Sequence, residues 1–399
     1  MNRLYLENIG QLQKADLEFG DLTVFVGPQA TGKSIALQFL KLVEDSDPIR
    51  TRLGEYGVDW GNQVGHFFDV FFGEGMSGLW RPSESSIKVD GEAINLPALL
   101  KKKGRRKERS MFFIPAQRVL ALREGWPRPF SDYGAADPFT VRDFSDELRL
   151  LMEGGLKGED IIFPKSNRLK GVIRDVVDEA VFHGFGLKVD RSRPQKRLVL
   201  GPESNGQTLP FMVWSAGQRE FVPLLLGLYW LMPSAKTRKR EEIEWVVIEE
   251  LEMGLHPRAI SATMLLVLEL LWRGYRVCLS THSSQVLDIV WALRVFRENG
   301  GRVEDVLGLF NLPSNSQTKP LAETALTKST KVHYFTTEGI VHDISRLDPG
   351  AEDNDEAGWG GLTQFSGDIG EIVARVVRRH EAEQAIAHAE AQTKLKLEN

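Results

Sequence analysis

Eight residues, "GPQATGKS" from Gly27 to Ser34, carry the spacing G-x-x-x-x-G-K-[ST]. The pattern suits the wrapping of phosphates. Gly27 and Gly32 let backbone N–H groups curl around phosphate oxygens, with Pro28, Gln29, Ala30 and Thr31 filling the loop between them. Lys33 brings a point charge for the β- and γ-phosphates, and Ser34 offers a hydroxyl to Mg²⁺. An apolar run, "LTVFV", precedes the motif and a helix-periodic run, "IALQFLKLVE", follows it. That strand–loop–helix context aims the positive end of a helix at the anion. The expectation is a bound nucleoside triphosphate.

Three further clusters could act on such a ligand. In "EWVVIEELEMGLHP" a buried strand, Val246 to Ile248, delivers Glu249 and Glu250 to its carboxyl edge. That edge is where ligands sit in parallel α/β sheets. One carboxylate can hold Mg²⁺ and the next can orient an attacking water; a solvated pair at a strand end is the plain alternative. In "VWSAGQRE" a Ser-Ala-Gly-Gln turn, Ser215 to Gln218, opens the apolar run "FVPLLLGLYWLM". Such a turn at a helix start is suited to an anion. "RVCLSTH" then ends a strand on His282.

The elements that position these residues are legible from their patterns. Residues 3–26 read as short strands broken at Gly10 and Gly20-Asp21. "SMFFIPAQRV" is a strand stopped by Pro115, and "DELRLLMEGG" is a helix ended by glycine. "LKVDRSRPQKRLVL" reads as antiparallel strands, and "KVHYFTTEGIVHDISRL" as a strand pair. Strand–helix alternation in the second half argues for an α/β core. The 399 residues, 42% hydrophobic and 26% charged, form a soluble globular class of chain with a net charge of −5. The whole molecule is therefore no polyanion binder. Cys278 is the single cysteine, which excludes an intrachain disulfide and fits a reducing cytoplasm. No signal-peptide pattern is evident, and the longest apolar run is too short to span a bilayer.

The order phosphate loop, Ser-Ala-Gly-Gln turn, acidic strand, "LSTH" resembles the ABC-type soluble ATPases of the SMC, RecF and OLD-like branch. It is similar in particular to the ATPase subunits of phage-defence systems (PARIS, Septu, retron-associated). The resemblance implies an α/β P-loop NTPase of ABC type, with a mixed sheet, an antiparallel β subdomain, a helical subdomain and no long coiled coil. It implies ATP and Mg²⁺ as ligands, Glu249 and Ser34 as metal ligands, and Glu250 as the catalytic carboxylate. Ser215, Ala216, Gly217 and Gln218 would meet the γ-phosphate of a second subunit, giving a homodimer or higher oligomer with composite sites. His282 would reach the γ-phosphate, and Gln117 in "IPAQRV" would sense Mg²⁺ and water, although a plain loop glutamine remains an equal reading. Glu249 stands where an aspartate is usual, Leu251 where a proline is, Trp214 and Ala216 where Leu and Gly are, and Gln29-Ala30 where Asn-Gly is common. Slow turnover is the expectation.

The head is expected over 1–300, with insertions at about 45–110 and 120–210, and an extension over 301–399 that completes the head or mediates assembly. A Glu338-Gly339 turn and the "DND" of Asp353 to Asp355 stand too close for a TOPRIM nuclease. Three basic runs, Lys101 to Arg109, Arg191 to Arg197 and Lys236 to Arg240, allow nucleic-acid binding or are solvated loops. The function implied is a clamp that senses a trigger and controls a separately encoded effector, a nuclease, in antiviral defence. A RecF-like repair clamp and a nucleotide-gated scaffold with negligible hydrolysis are the alternatives.

Overall fold

Leu22–Val26 is buried along its whole length, as its unbroken apolar pattern requires. In the computed structural model it lies inside a six-stranded sheet. The order across that sheet is Val341–Asp343, Thr330–Phe335, Leu22–Val26, Arg276–Thr281, Trp245–Ile248, Met111–Ile114. Every neighbouring pair is parallel except the outer one, Thr330–Phe335 against Val341–Asp343. The structure describes residues 1–61, 63–101, 108–134, 136–165, 168–202, 206–233, 239–362, 369, 372–378 and 380.

Alternation along the strands divides the interior into two cores. Val24, Val26, Val246 and Ile248 face one, with the helices Ala216–Leu231 and Pro257–Arg273. Phe25, Trp245, Val247 and Cys278 face the other, with Lys33–Glu44 and the phenylalanine-rich helix Val64–Phe72. The parallel strands thus have both faces covered and share one carboxyl edge. Four distant segments reach that edge: the phosphate loop after Leu22–Val26, Gln117 after Met111–Ile114, Glu249 and Glu250 after Trp245–Ile248, and His282 after Arg276–Thr281.

An antiparallel sheet, ordered Leu12–Glu18, Arg3–Ile9, Ser86–Val89, Glu92–Ala93, packs with the phenylalanine-rich core. A second, ordered Leu209–Pro210, Arg197–Pro202, Phe185–Asp190, Ile161–Phe163, packs with the other. The helix Phe139–Leu150 runs on into a wider turn, Leu151–Gly155, and carries charged side chains inward. There Arg109 meets Asp143 and Glu147, and Arg52 meets Asp146. The longest helix among the described residues is Pro257–Arg273, at 17 residues, and none of them is long and apolar enough to cross a membrane.

Part of the extension after residue 300 joins the central sheet. Thr330–Phe335 pairs with Leu22–Val26 in parallel register, Val332 opposite Val24 and Tyr334 opposite Val26. The segment through Asp343 is therefore part of the central sheet, on the opposite flank of the phosphate-loop strand from Arg276–Thr281. Farther on, Ile372, Val373, Val376 and Val377 stay about half exposed. The apolar helical spacing of that segment does not pack into either core.

Candidate nucleotide site

Three backbone features shape the phosphate loop. Gly27 has φ 143° and Gly32 φ 96°, values that favour glycine, and Gly32 caps the helix Lys33–Glu44. A Cβ on Gly27 would lie 2.3 Å from the Phe335 carbonyl oxygen, so the tail strand itself presses on the loop. Ala30 sits at φ 60°, where an L side chain costs about 1 kcal/mol. The Gln29-Ala30 substitution for the commoner Asn-Gly thus has a physical cost. The Lys33 ammonium donates to the carbonyls of Gly27 at 2.7 Å and Pro28 at 2.5 Å, and Thr31 Oγ1 donates to Pro28 at 2.9 Å. Burial lowers the Lys33 pKa to about 8, against the pull of Glu250 and Glu252. Ser34, Pro28, Gln29 and Ala30 are exposed at the mouth.

Glu249 is only 2% exposed and Glu250 is partly open. Burial pushes the Glu249 carboxyl up to about 7; the Ala116 amide and the Ser34 hydroxyl oppose this, and the Glu250 charge adds to it. Glu249 Oε2 accepts from the Ala116 amide at 3.1 Å. Oε1 is buried with no hydrogen bond of normal geometry. A buried, half-satisfied carboxylate beside an exposed serine hydroxyl fits a Mg²⁺ ion, which takes one or two protein oxygens and fills its shell with phosphates and water.

Glu250 has φ 43°, the left-handed region, at the second residue after the strand. Its amide donates to Ser280 Oγ at 3.0 Å, and His282 Nε2 stands 4.0 Å from its Oε1. Burial and the Lys33 charge lower the His282 pKa, and Glu250 and Glu252 raise it. A lowered pKa leaves the ring neutral at neutral pH. Gln117 is exposed at the same edge, one position after Ala116. No contact from its side chain to Glu249 or Glu250 is seen among the described hydrogen bonds.

The Ser215 turn is a capping box. Ser215 Oγ accepts from the Gln218 amide at 3.2 Å, and Gln218 Oε1 accepts from the Ser215 amide at 3.1 Å. The hydroxyl hydrogen stays available to donate outward. Ser215 and Ala216 are exposed, as are Met212 at 70% and Val213 at 62%. The helix start leans on the acidic turn: a Cβ on Gly217 would lie 3.0 Å from the Gly254 carbonyl oxygen.

Two residues absent from the sequence reading complete the arrangement. Glu252 accepts from Thr281 Oγ1 at 2.9 Å and from the His282 amide, fixing the backbone that presents His282. Arg118, fully buried, donates to the carbonyls of Glu249, Glu250 and Glu220. Its signal in the sequence is a lone cation in the otherwise apolar "PAQRVLAL".

Four of the described arginines of the basic runs have partners. Arg109 lies among Asp143 and Glu147, and their charges raise its pKa above the ordinary arginine value despite burial. Arg191 pairs with Asp160, Arg197 with Asp190, and Arg240 stacks 3.9 Å over the Trp230 ring. Residues 102–107 and 236–238 lie outside the described residues. Arg193 and Lys196, between Arg191 and Arg197, are exposed to solvent.

Residues 132–288 match a family model described as "AAA domain, putative AbiEii toxin, Type IV TA system". That span holds the Ser215 turn, the acidic pair and His282, while the phosphate loop lies before it. No curated protein matches the chain. Solved structures similar to it include a dimeric bacterial ABC transporter cassette, 11% identical over 85% of this chain and 96% of that one, with a TM-score of 0.35. Another is an SMC head bound to the C-winged helix domain of ScpA, 8% identical over 86% and 96%, with a TM-score of 0.40. A third is the SMC head domain from Thermotoga maritima, 13% identical over 72% and 90%, with a TM-score of 0.32. The fold is that of an ABC-type P-loop NTPase.

Proposed function

We propose that the chain binds ATP with Mg²⁺ and hydrolyses it slowly, using Glu250 to orient water. The observation that carries this is the meeting of the phosphate loop, the half-satisfied Glu249, Glu250 and His282 at one sheet edge. Lys33 and the amides around Gly32 hold the phosphates, and Ser34 and Glu249 hold the cation. Bound Mg²⁺ would neutralise charge between the β- and γ-phosphates. Neutral His282 can donate a hydrogen bond to the γ-phosphate. Glu250, partly exposed and 4.0 Å from His282, can accept the hydrogen of an attacking water. Gln117 at the same edge can contact that water.

Two chains meet head to tail across two nucleotides in this reading. The Ser215 turn leans on Gly254 and points its free helix end outward, flanked by exposed Met212 and Val213. Ser215, Ala216, Gly217 and Gln218 then close on the nucleotide of the second copy. The output is control of a separately encoded effector in antiviral defence. That output rests on the resemblance of the motif order alone.

Subunit complementation tests the composite site. Lys33→Ala and Ser215→Arg chains should each be inactive alone and regain hydrolysis when mixed, at about one competent site per pair. Full activity from a monomer by light scattering in ATP overturns the head-to-tail arrangement. Glu250→Gln should bind ATP and stall; wild-type turnover by that variant removes the catalytic assignment.

A further inference from the structure

We infer that Arg118 is a positioning residue that locks the catalytic turn at Glu250 to the second turn of the Ser215 helix. The inference rests on the ATPase reading above. Its geometry is independent of that reading.

The Arg118 side chain has no exposed surface. Its Nη1 donates to the Glu249 carbonyl at 2.9 Å and its Nη2 to the Glu250 carbonyl at 3.0 Å. Its Nε donates to the Glu220 carbonyl at 3.2 Å, and Glu220 Oε2 stands 3.7 Å away. That carboxylate oxygen is itself buried, with no hydrogen bond of normal geometry. One planar fork therefore joins two consecutive carbonyls of the acidic turn to the helix that starts at Ala216. A lysine presents one rotating ammonium and cannot span the three acceptors in a plane.

The carbonyls held are those on either side of the strained residue. Glu250 at φ 43° is unfavourable for an L side chain and persists only where its surroundings over-determine it. Ser280 Oγ holds its amide at 3.0 Å and Arg118 holds both adjoining carbonyls. Loss of the fork frees that peptide to relax, and the Glu250 carboxylate swings with it. Gln117, the residue before Arg118, is presented at the same edge by the short turn Arg118–Ala121. The fork thus also fixes the backbone of the candidate water-sensing glutamine. Glu220 lies two positions after Gln218, so movement of the acidic turn reaches the capping box through one side chain. Gly217 and Gly254, in close contact, give the two segments no room to slide independently.

Arg118→Lys and Arg118→Met test this, with hydrolysis, mant-ATP binding and hydrogen exchange measured on the full chain. We expect kcat to fall on the order of tenfold or more in Arg118→Lys, while mant-ATP affinity changes by less than about threefold. Exchange should quicken together in Glu249–Met253 and Ala216–Glu220, and stay unchanged in the strands. Arg118→Met is judged only per folded molecule, against Arg118→Lys. Wild-type kcat in Arg118→Lys, with Glu250→Gln inactive, overturns the inference. Quickened exchange spread evenly over the chain overturns it too, since that marks a general structural role. If the wild-type chain fails to hydrolyse ATP, the ATPase reading falls and the exchange pattern alone decides: a joint response of the two segments sustains the coupling, and no joint response overturns it.

Discussion

Replacing Glu249 with glutamine should make the stability of the metal-free protein less sensitive to pH. The Glu249 carboxyl is raised from 4.5 to about 7, chiefly by burial. Between those values the folded chain keeps a proton that the unfolded chain has released. Stability contributed by this group is therefore highest below about pH 4.5 and falls as pH rises to about 7. The displacement corresponds to about 3 kcal/mol at full deprotonation. Chemical denaturation of wild type and Glu249→Gln in EDTA, at several pH values from about 4.5 to 8, reads the effect. The stability of the variant relative to wild type should improve by about 3 kcal/mol across that range, whatever its starting offset. Adding Mg²⁺ and ATP should flatten the wild-type curve, because a cation at the buried oxygen favours the charged form. A difference between the two proteins that is constant with pH in EDTA refutes the idea that burial raises the Glu249 carboxyl, and an unflattened wild-type curve in Mg²⁺ and ATP refutes its relief by metal.

Other outcomes follow from particular contacts. Lys33→Ala should lower mant-ATP affinity by at least about tenfold, since it removes the only ammonium placed within the loop among the described residues. Ala30→Gly should leave the melting temperature unchanged or raise it, because it relieves a left-handed alanine at φ 60° worth about 1 kcal/mol; a clear loss of stability speaks against strain at that position. Arg109→Met should destabilise the chain by about 3 kcal/mol by leaving Asp143 and Glu147 without their cation, read by denaturant midpoint. A chain ending before Thr330 should fail to bind mant-ATP even where it stays soluble, because Leu22–Val26 then loses a neighbour and Gly27 loses the Phe335 wall.

Most of the site was legible because it is built from local patterns. The phosphate loop, the "WVVIEE" strand end, the capped "WSAGQ" helix start and the "LSTH" strand each announce themselves within ten residues. Strands rich in β-branched and aromatic residues carried the central sheet for the same reason. What escaped the sequence depends on contacts between remote segments. Arg118 looked like one more residue after a candidate glutamine; its role arises from carbonyls of Glu220, Glu249 and Glu250, more than a hundred positions away. The tail was read as completing the head or mediating assembly because no nucleotide motif lies in it, and the sequence could not say that its strand is hydrogen-bonded beside Leu22–Val26. The basic runs were open to two readings, and charge density in the sequence says nothing of acids such as Asp143 and Glu147 that the fold brings to Arg109, while Arg193 and Lys196 stay exposed.

The placement of Leu22–Val26 between Arg276–Thr281 and Thr330–Phe335 has a consequence for how the chain is made. Phosphate-loop residues leave the ribosome early, but both strands that flank them are synthesised some 250 to 310 residues later. Domains fold as units during synthesis, and distant pairings must pay loop closure before they return any stability. The amino-terminal hairpin can form at once, whereas the loop acquires its walls only when the last third of the chain has emerged. A nascent chain stalled before Phe335 would expose the apolar "LTVFV" as an unpaired edge. Competence to hold nucleotide thus reports that translation has passed the end of the sheet.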